Sequence, residues 1–169
     1  KLVECHRRLS HVCSVRSADR SSPSEGEGQR FESSTEHKMK LTTDQIGLVG
    51  ELAVTKNLTE NGWYVYRSVG GQPIADLLAM KDGQISRVQV KTIEKPNKSG
   101  VVCVKLYAST SGEVYTTKDI DVIAIHVISL NRTAYLSLTE HQNTNAISLR
   151  LTETKNKQIK GTRFFADFE

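Results

Sequence analysis

Residues 74–93 read IADLLAMKDGQISRVQVKTI, and the Asp82-Gly83 pair at their centre constrains this chain more than any other feature. An Asp-Gly pair between two alternating apolar runs is the strongest short-range hairpin signal, because both central residues of such a turn need positive φ. Placing Asp82 and Gly83 at those positions sets a register in which Met80 faces Ile85, Leu78 faces Arg87 and Asp76 lies opposite Gln89. Side chains alternate along a strand, so Asp76, Gln89 and Lys91 emerge on one face. A carboxylate, an amide and an ammonium then lie within about 5 to 8 Å of one another, the reach of cross-strand and diagonal neighbours. That face is a candidate active site. It is equally the pattern of a wet edge strand, with Arg87, Gln89 and Lys91 in solvent and Asp76 a cross-strand companion of Lys91, a kind of pair worth little energy.

The length of 169 residues allows one domain, or a domain with a tail. Hydrophobic residues make up 37%, below the usual globular share, so part of the chain is expected to carry no core. Residues 1–40 fit that part: they hold the SSPSEGEGQR stretch and few large apolar residues, too little to offset the entropy of ordering. Met39 suggests that the functional domain begins there, so residues 1–38 are read as a disordered or upstream extension and residues 39–169 as the domain. Cys5, His6, His11 and Cys13 are zinc-ligand types, but their spacing matches none of the usual ligand patterns. Three cysteines, Cys5, Cys13 and Cys103, give no paired framework, and a reducing, cytoplasmic setting follows unless the extension is a targeting segment. No apolar run approaches the ~18 residues that would mark a membrane span. A formal charge of +4 suits a polyanionic partner without demanding one.

From Thr42 the pattern is helical. Thr42 and Gln45 form a capping-box pair, Asp44 favours the positive helix end, and Asn61-Gly62 marks the stop. Leu48, Leu52 and Thr55 form one line, Val49, Ala53 and Lys56 the next, and Leu58 closes the expected apolar stripe. Glu51 sits among them, one turn after Gly47 and beside Gly50. Each glycine costs about 1 kcal/mol against alanine in a helix interior. Their presence predicts a close approach of helix to sheet on Glu51's own side. Strands are expected at 63–69, on both arms of the hairpin, at 101–107, at 121–129 (DVIAIHVIS, buried on both faces), at 134–138 and at 146–151, with 114–118 ambiguous. The fold class is therefore α+β, a single domain with one helix packed on a central, mostly antiparallel sheet of about six strands.

Placing Glu51 on a helix against this sheet completes a set of Glu51, Asp76, Gln89 and Lys91. Two carboxylates and an amide oxygen form a hard, oxygen-only cluster suited to Mg²⁺ or Mn²⁺, while the lack of nearby His and Cys disfavours zinc. A lysine beside metal and phosphate stabilises developing charge or orients the attacking water. In the chain's own terms this is a metal-assisted phosphodiester hydrolase.

Glu51 in GLVGELAV, Asp76 in IADLL, and Gln89 and Lys91 in RVQVKT together resemble the PD-(D/E)XK nuclease superfamily, in particular the small intron-encoded homing endonucleases of cyanobacterial type and related bacterial domains. The resemblance runs from about Thr43 to Glu169 and takes in YTTKDIDVIAI and the closing LRLTETKNKQIKGTRFFADF. It implies a restriction-endonuclease-like fold with a mixed sheet and Mg²⁺-dependent cleavage of double-stranded DNA, with Mn²⁺ a substitute. Glu51 and Asp76 would hold the metal, Gln89 would contribute an oxygen, and Lys91 would act on water or phosphate. Two positions depart from the family pattern: Ala75 precedes Asp76 where the family has proline, and Gln89 replaces an acidic residue, which removes one negative charge.

Lys95 and Lys98, with Lys155, Lys157, Lys160 and Arg163, are candidate phosphate contacts, which confer affinity and salt dependence but no sequence information. Cutting both strands of a duplex from one small site implies a symmetric homo-oligomer, a dimer or tetramer. The rival expectations are a structure-specific nuclease of the junction-resolvase kind and a DNA-binding module that lost catalysis through Gln89.

Overall fold

The computed structural model describes residues 40–70, 74–108, 112–141, 144–153 and 161–169. Residues 1–39, with Cys5, His6, His11 and Cys13, lie outside them, as do Lys155, Lys157 and Lys160.

Helix α1, Thr43–Glu60, starts at the expected capping box. Thr42 Oγ1 accepts from the Gln45 amide at 3.3 Å, and Gln45 Oε1 accepts from the Thr42 amide at 2.9 Å. Asn61 caps the far end and Gly62, at φ 78°, turns the chain out. The buried stripe is Gly50, Val54 and Leu58, not the line of Leu48 and Leu52, which stay 43% and 52% exposed. Gly50 explains the shift. A Cβ there would sit 1.8 Å from Thr92 Oγ1, so the helix lies directly on the sheet at this point and its next two turns face the same way. The expected second close approach is absent, since a Cβ at Gly47 would meet nothing within 4 Å.

The strands are β1 (Tyr64–Arg67), β2 (Leu77–Lys81), β3 (Gln84–Ile93), β4 (Val101–Lys105), β5 (Val122–Val127), β6 (Arg132–Ser137) and β7 (Ala146–Arg150). The turn between β2 and β3 has Asp82 at φ 51° and Gly83 at φ 74°, the two positive angles that a two-residue hairpin turn needs. The register follows: Met80 pairs with Ile85, Leu78 with Arg87 and Leu77 with Val88.

Five strands form a mixed sheet in the order β1-β2-β3-β5-β6, with β3 and β5 parallel and the other pairs antiparallel. The expected single sheet of about six strands is corrected here, because among the described residues β4 and β7 form a separate two-stranded sheet. They cover one face of the main sheet while α1 covers the other. Val54 and Leu58 pack with Leu77, Ala79, Val88, Val90, Val122 and Ala124 on the helix side. Val102, Val104, Ile147, Leu149 and Phe165 pack with Ile123, Ile125 and Val127 on the other. Strand β5 alternates between the two layers, which is why every position is buried and all but His126 are apolar. Among the described residues no helix is long and apolar enough to cross a membrane.

Candidate active site

Strand β3 is an interior strand with β2 on one side and β5 on the other, so the reading of its polar residues as a wet edge fails. Arg87, in the half of β3 that pairs with β2, is structural. Its guanidinium embraces Asp121, with Nε 3.0 Å from Oδ2 and Nη2 2.8 Å from Oδ1, and also donates to the Thr117 and Lys118 carbonyls. The pairing raises the Arg87 pKa and holds the Asp121 carboxyl below its usual range. It fixes the entry of β5 beside β3.

Gln89 is buried, at 8% exposure, and its side chain meets Asp76 as the register requires. Asp76 Oδ2 accepts from Gln89 Nε2 at 2.5 Å and from the Val90 amide at 2.7 Å. Asp76 sits just before β2, where the chain has left the ladder and its carboxylate takes the place of a backbone acceptor for Val90. Burial pushes its pKa up to about 6, and the charge of Glu51 adds to the rise; the Val90 amide, Lys91 and Gln89 hold it back. A carboxyl strained in this way gains from any cation that approaches it.

Glu51 reaches the site from the helix side of the sheet, since α1 packs on Val88 and Val90 whereas Lys91 turns toward the β4–β7 side. Its Oε2 lies 2.5 Å from Arg67 Nη2 of β1. Arg67, Asp76 and Arg87 also line a cleft of about 530 Å³ walled by Tyr66, Ile74 and Leu78. Lys91 makes no ion pair with Asp76. Its Nζ donates to the Tyr115 hydroxyl at 2.8 Å and reaches the Tyr107 carbonyl at 3.5 Å.

The structure thus brings Asp76, Gln89 and Lys91 together on one hairpin and sets Glu51 close enough for its charge to be felt at Asp76. Lys95 and Lys98 are exposed in the turn after β3, and Arg163 is exposed near the C-terminal end. Sequence reasoning missed Arg67 and Tyr115. Arg67 was visible only as one face of an alternating strand, and Tyr115 lies in a stretch with no periodicity.

The donor set can be tested against a hard divalent cation. Among the described residues no group of three or more His, Cys, Asp or Glu is placed to hold a metal. Asp76 and Glu51 nevertheless supply two carboxylates of the hard-oxygen type, and the raised Asp76 pKa is what a cation would relieve. Gln89 fits less directly. Its Nε2 is committed to Asp76, so contributing an oxygen requires the amide to rotate.

A helix on one face of a mixed five-stranded sheet, with the carboxylate and lysine on its central hairpin, is a restriction-endonuclease-like architecture. The PD-(D/E)XK endonuclease family model matches residues 41–169, and the chain belongs to that family. A solved bacterial homing endonuclease, I-Ssp6803I, shares the fold at a TM-score of 0.57 and 22% identity over 70% of this chain and 83% of that one. No curated protein sequence matches the chain.

Proposed function

We propose that this nuclease is a Mg²⁺-dependent endonuclease that hydrolyses phosphodiester bonds of double-stranded DNA, and that it is of homing type. The observation that carries the reading is the Asp76 carboxylate, held by Val90 N–H and Gln89 with its pKa raised to about 6, on the same hairpin as Lys91. The family match over residues 41–169 supports the reaction class, and the shared fold of a bacterial homing endonuclease supports the type.

Asp76 and Glu51 would hold Mg²⁺, or Mn²⁺ in its place, with an oxygen of Gln89 available after rotation of its amide. Such a cation, when bound, polarises the phosphate and lowers the pKa of water beside it. The chain's own groups do the remaining work. Val90 N–H and Gln89 fix the Asp76 carboxylate in one orientation. Lys91 would offer its ammonium to a phosphate oxygen as water oxygen bonds to phosphorus, negative charge develops and the P–O bond to the leaving sugar breaks, the sugar oxygen taking a proton from solvent. Arg67 holds Glu51 against the site. Lys95, Lys98 and Arg163, with Lys155, Lys157 and Lys160, would contact flanking phosphates, and two copies acting across a two-fold axis would cut both strands. Residues 39–169 form the nuclease domain in this reading and residues 1–38 an extension of it.

Incubating the protein with supercoiled plasmid, linear duplex targets and a branched junction, with Mg²⁺ or chelator, tests the reading. Metal-dependent linearisation of plasmid or duplex, abolished in Asp76→Ala, is expected. Cleavage of the junction alone would point to a structure-specific nuclease. Salt-dependent binding with no nicking under Mg²⁺ or Mn²⁺ would mean that Gln89 has left a DNA-binding module.

A further inference from the structure

Both contacts of the Lys91 ammonium come from one element that the active-site hairpin does not contain. Between β4 and β5 the chain folds back on itself. Tyr107 and Val114 form an antiparallel bridge, Ala108 N–H donates to the Glu113 carbonyl at 2.9 Å, and Tyr115 N–H donates to the Leu106 carbonyl at 3.1 Å. One arm presents the Tyr107 carbonyl to Lys91 Nζ, and the other presents the Tyr115 hydroxyl at 2.8 Å. The Tyr115 ring is 7% exposed and packs with Leu106, Ile120 and Ile123, so the hydroxyl is carried on a rigid mount.

We propose that Tyr115 is a positioning residue for the reaction: its hydroxyl fixes the Lys91 ammonium so that one N–H remains aimed at the reacting phosphate. The proposal rests on the nuclease reading of the site. An ammonium has three N–H groups and no acceptor, so two contacts to this hairpin leave one for the substrate. A free lysine side chain spreads over many rotamers and loses that freedom when it is ordered. A chain held at its tip does not lose that freedom at the moment of reaction. Lys91 is thus oriented by an element inserted between β4 and β5, while Asp76 and Gln89 are oriented within their own hairpin. The hydroxyl is the part of Tyr115 that acts, since the ring alone would serve packing equally well.

Tyr115→Phe in the full chain separates the two roles, because the ring stays in the core. Three readouts are needed. The first is the thermal midpoint, the second is affinity for a duplex under Ca²⁺, and the third is the single-turnover rate of plasmid nicking under Mg²⁺. The expected result is a rate lower by about tenfold or more, the scale of one hydrogen bond to a charged group, with duplex affinity unchanged within about twofold and folding retained. In spectra of isotope-labelled lysine side chains, the slowly exchanging ammonium signal of Lys91, assigned by its absence in Lys91→Ala, should vanish in Tyr115→Phe. An unchanged nicking rate, or a rate that falls only in step with the thermal midpoint, overturns the proposal. So does an ammonium signal that survives the substitution. A wild-type protein that nicks nothing under any divalent cation would overturn the nuclease reading itself, and the lysine spectra would still report whether Tyr115 holds Lys91.

Discussion

Val88 and Val90 point from β3 into the layer beneath α1, whereas Gln89 and Lys91, on the same backbone, meet Asp76 and Tyr115. The side chains of the first pair are held by packing alone and those of the second by hydrogen bonds to other elements. The two faces depend on each other. Buried valines fix the strand's height and twist against the helix, and only a strand so fixed can present a carboxylate partner and an ammonium with sub-ångström reproducibility. The helix face is therefore expected to govern stability and the Asp76 face to govern chemistry.

Substitutions on each face should separate those quantities, most widely at the charged residues. Asp76→Ala and Lys91→Ala are expected to lower the plasmid cleavage rate by roughly a thousandfold, while urea midpoints stay close to wild type. Val88→Ala should do the reverse, costing about 2 kcal/mol of stability by urea unfolding and leaving cleavage per folded molecule nearly unchanged. Comparable losses of activity in both classes would dissolve the distinction between the faces.

Gly50→Ala sharpens it at the contact between helix and sheet. Helix propensity favours alanine by about 1 kcal/mol, but its Cβ would fall 1.8 Å from Thr92 Oγ1, and overpacking typically costs about 1–3 kcal/mol. The threonine branches at Cβ and has little room to turn away, so net destabilisation by urea unfolding is expected, with Thr92→Ala recovering part of it.

The smallest effect concerns pH. The Asp76 pKa is about 6 in the folded chain against 3.8 for the free side chain, so the folded state holds this proton more tightly than the unfolded state does. The stability it contributes is complete below pH 3.8 and is lost as pH rises through about 6. Asp76→Asn keeps a neutral acceptor for Val90 and Gln89. It should therefore exceed the metal-free wild type in stability above that range by about 1 kcal/mol, once the partial exposure of the carboxyl is discounted. Thermal melts across this pH range would show the two curves parting as pH rises above 3.8 and running parallel above about pH 6.

The hairpin was legible in the sequence because its signals are local: two residues with positive φ, an alternating pattern, and a register that follows by counting. Asp76 opposite Gln89 came from that count, and the capping box of α1 came from a four-residue pattern. The buried stripe of α1 was not legible. Leucine at 48 and 52 outweighs Gly50 in any apolarity count, although the close approach at Gly50 decides which face turns inward. The separation of β4 and β7 from the main sheet was also hidden, since their alternation fits either sheet and only long-range pairing chooses. Tyr115 was hidden for the same reason: its contact with Lys91 spans 24 residues of chain and no local pattern announces it.

Asp76 is the carboxylate proposed to take a divalent cation. Calorimetric titration of Mn²⁺ or Mg²⁺ into the full chain near neutral pH, wild type against Asp76→Ala, measures this without reference to cleavage. Binding by the wild type that weakens at least tenfold in the variant, and that weakens in the wild type as pH falls below about 6, is the predicted result. Equal affinity in the two proteins would contradict it and place any metal elsewhere in the chain.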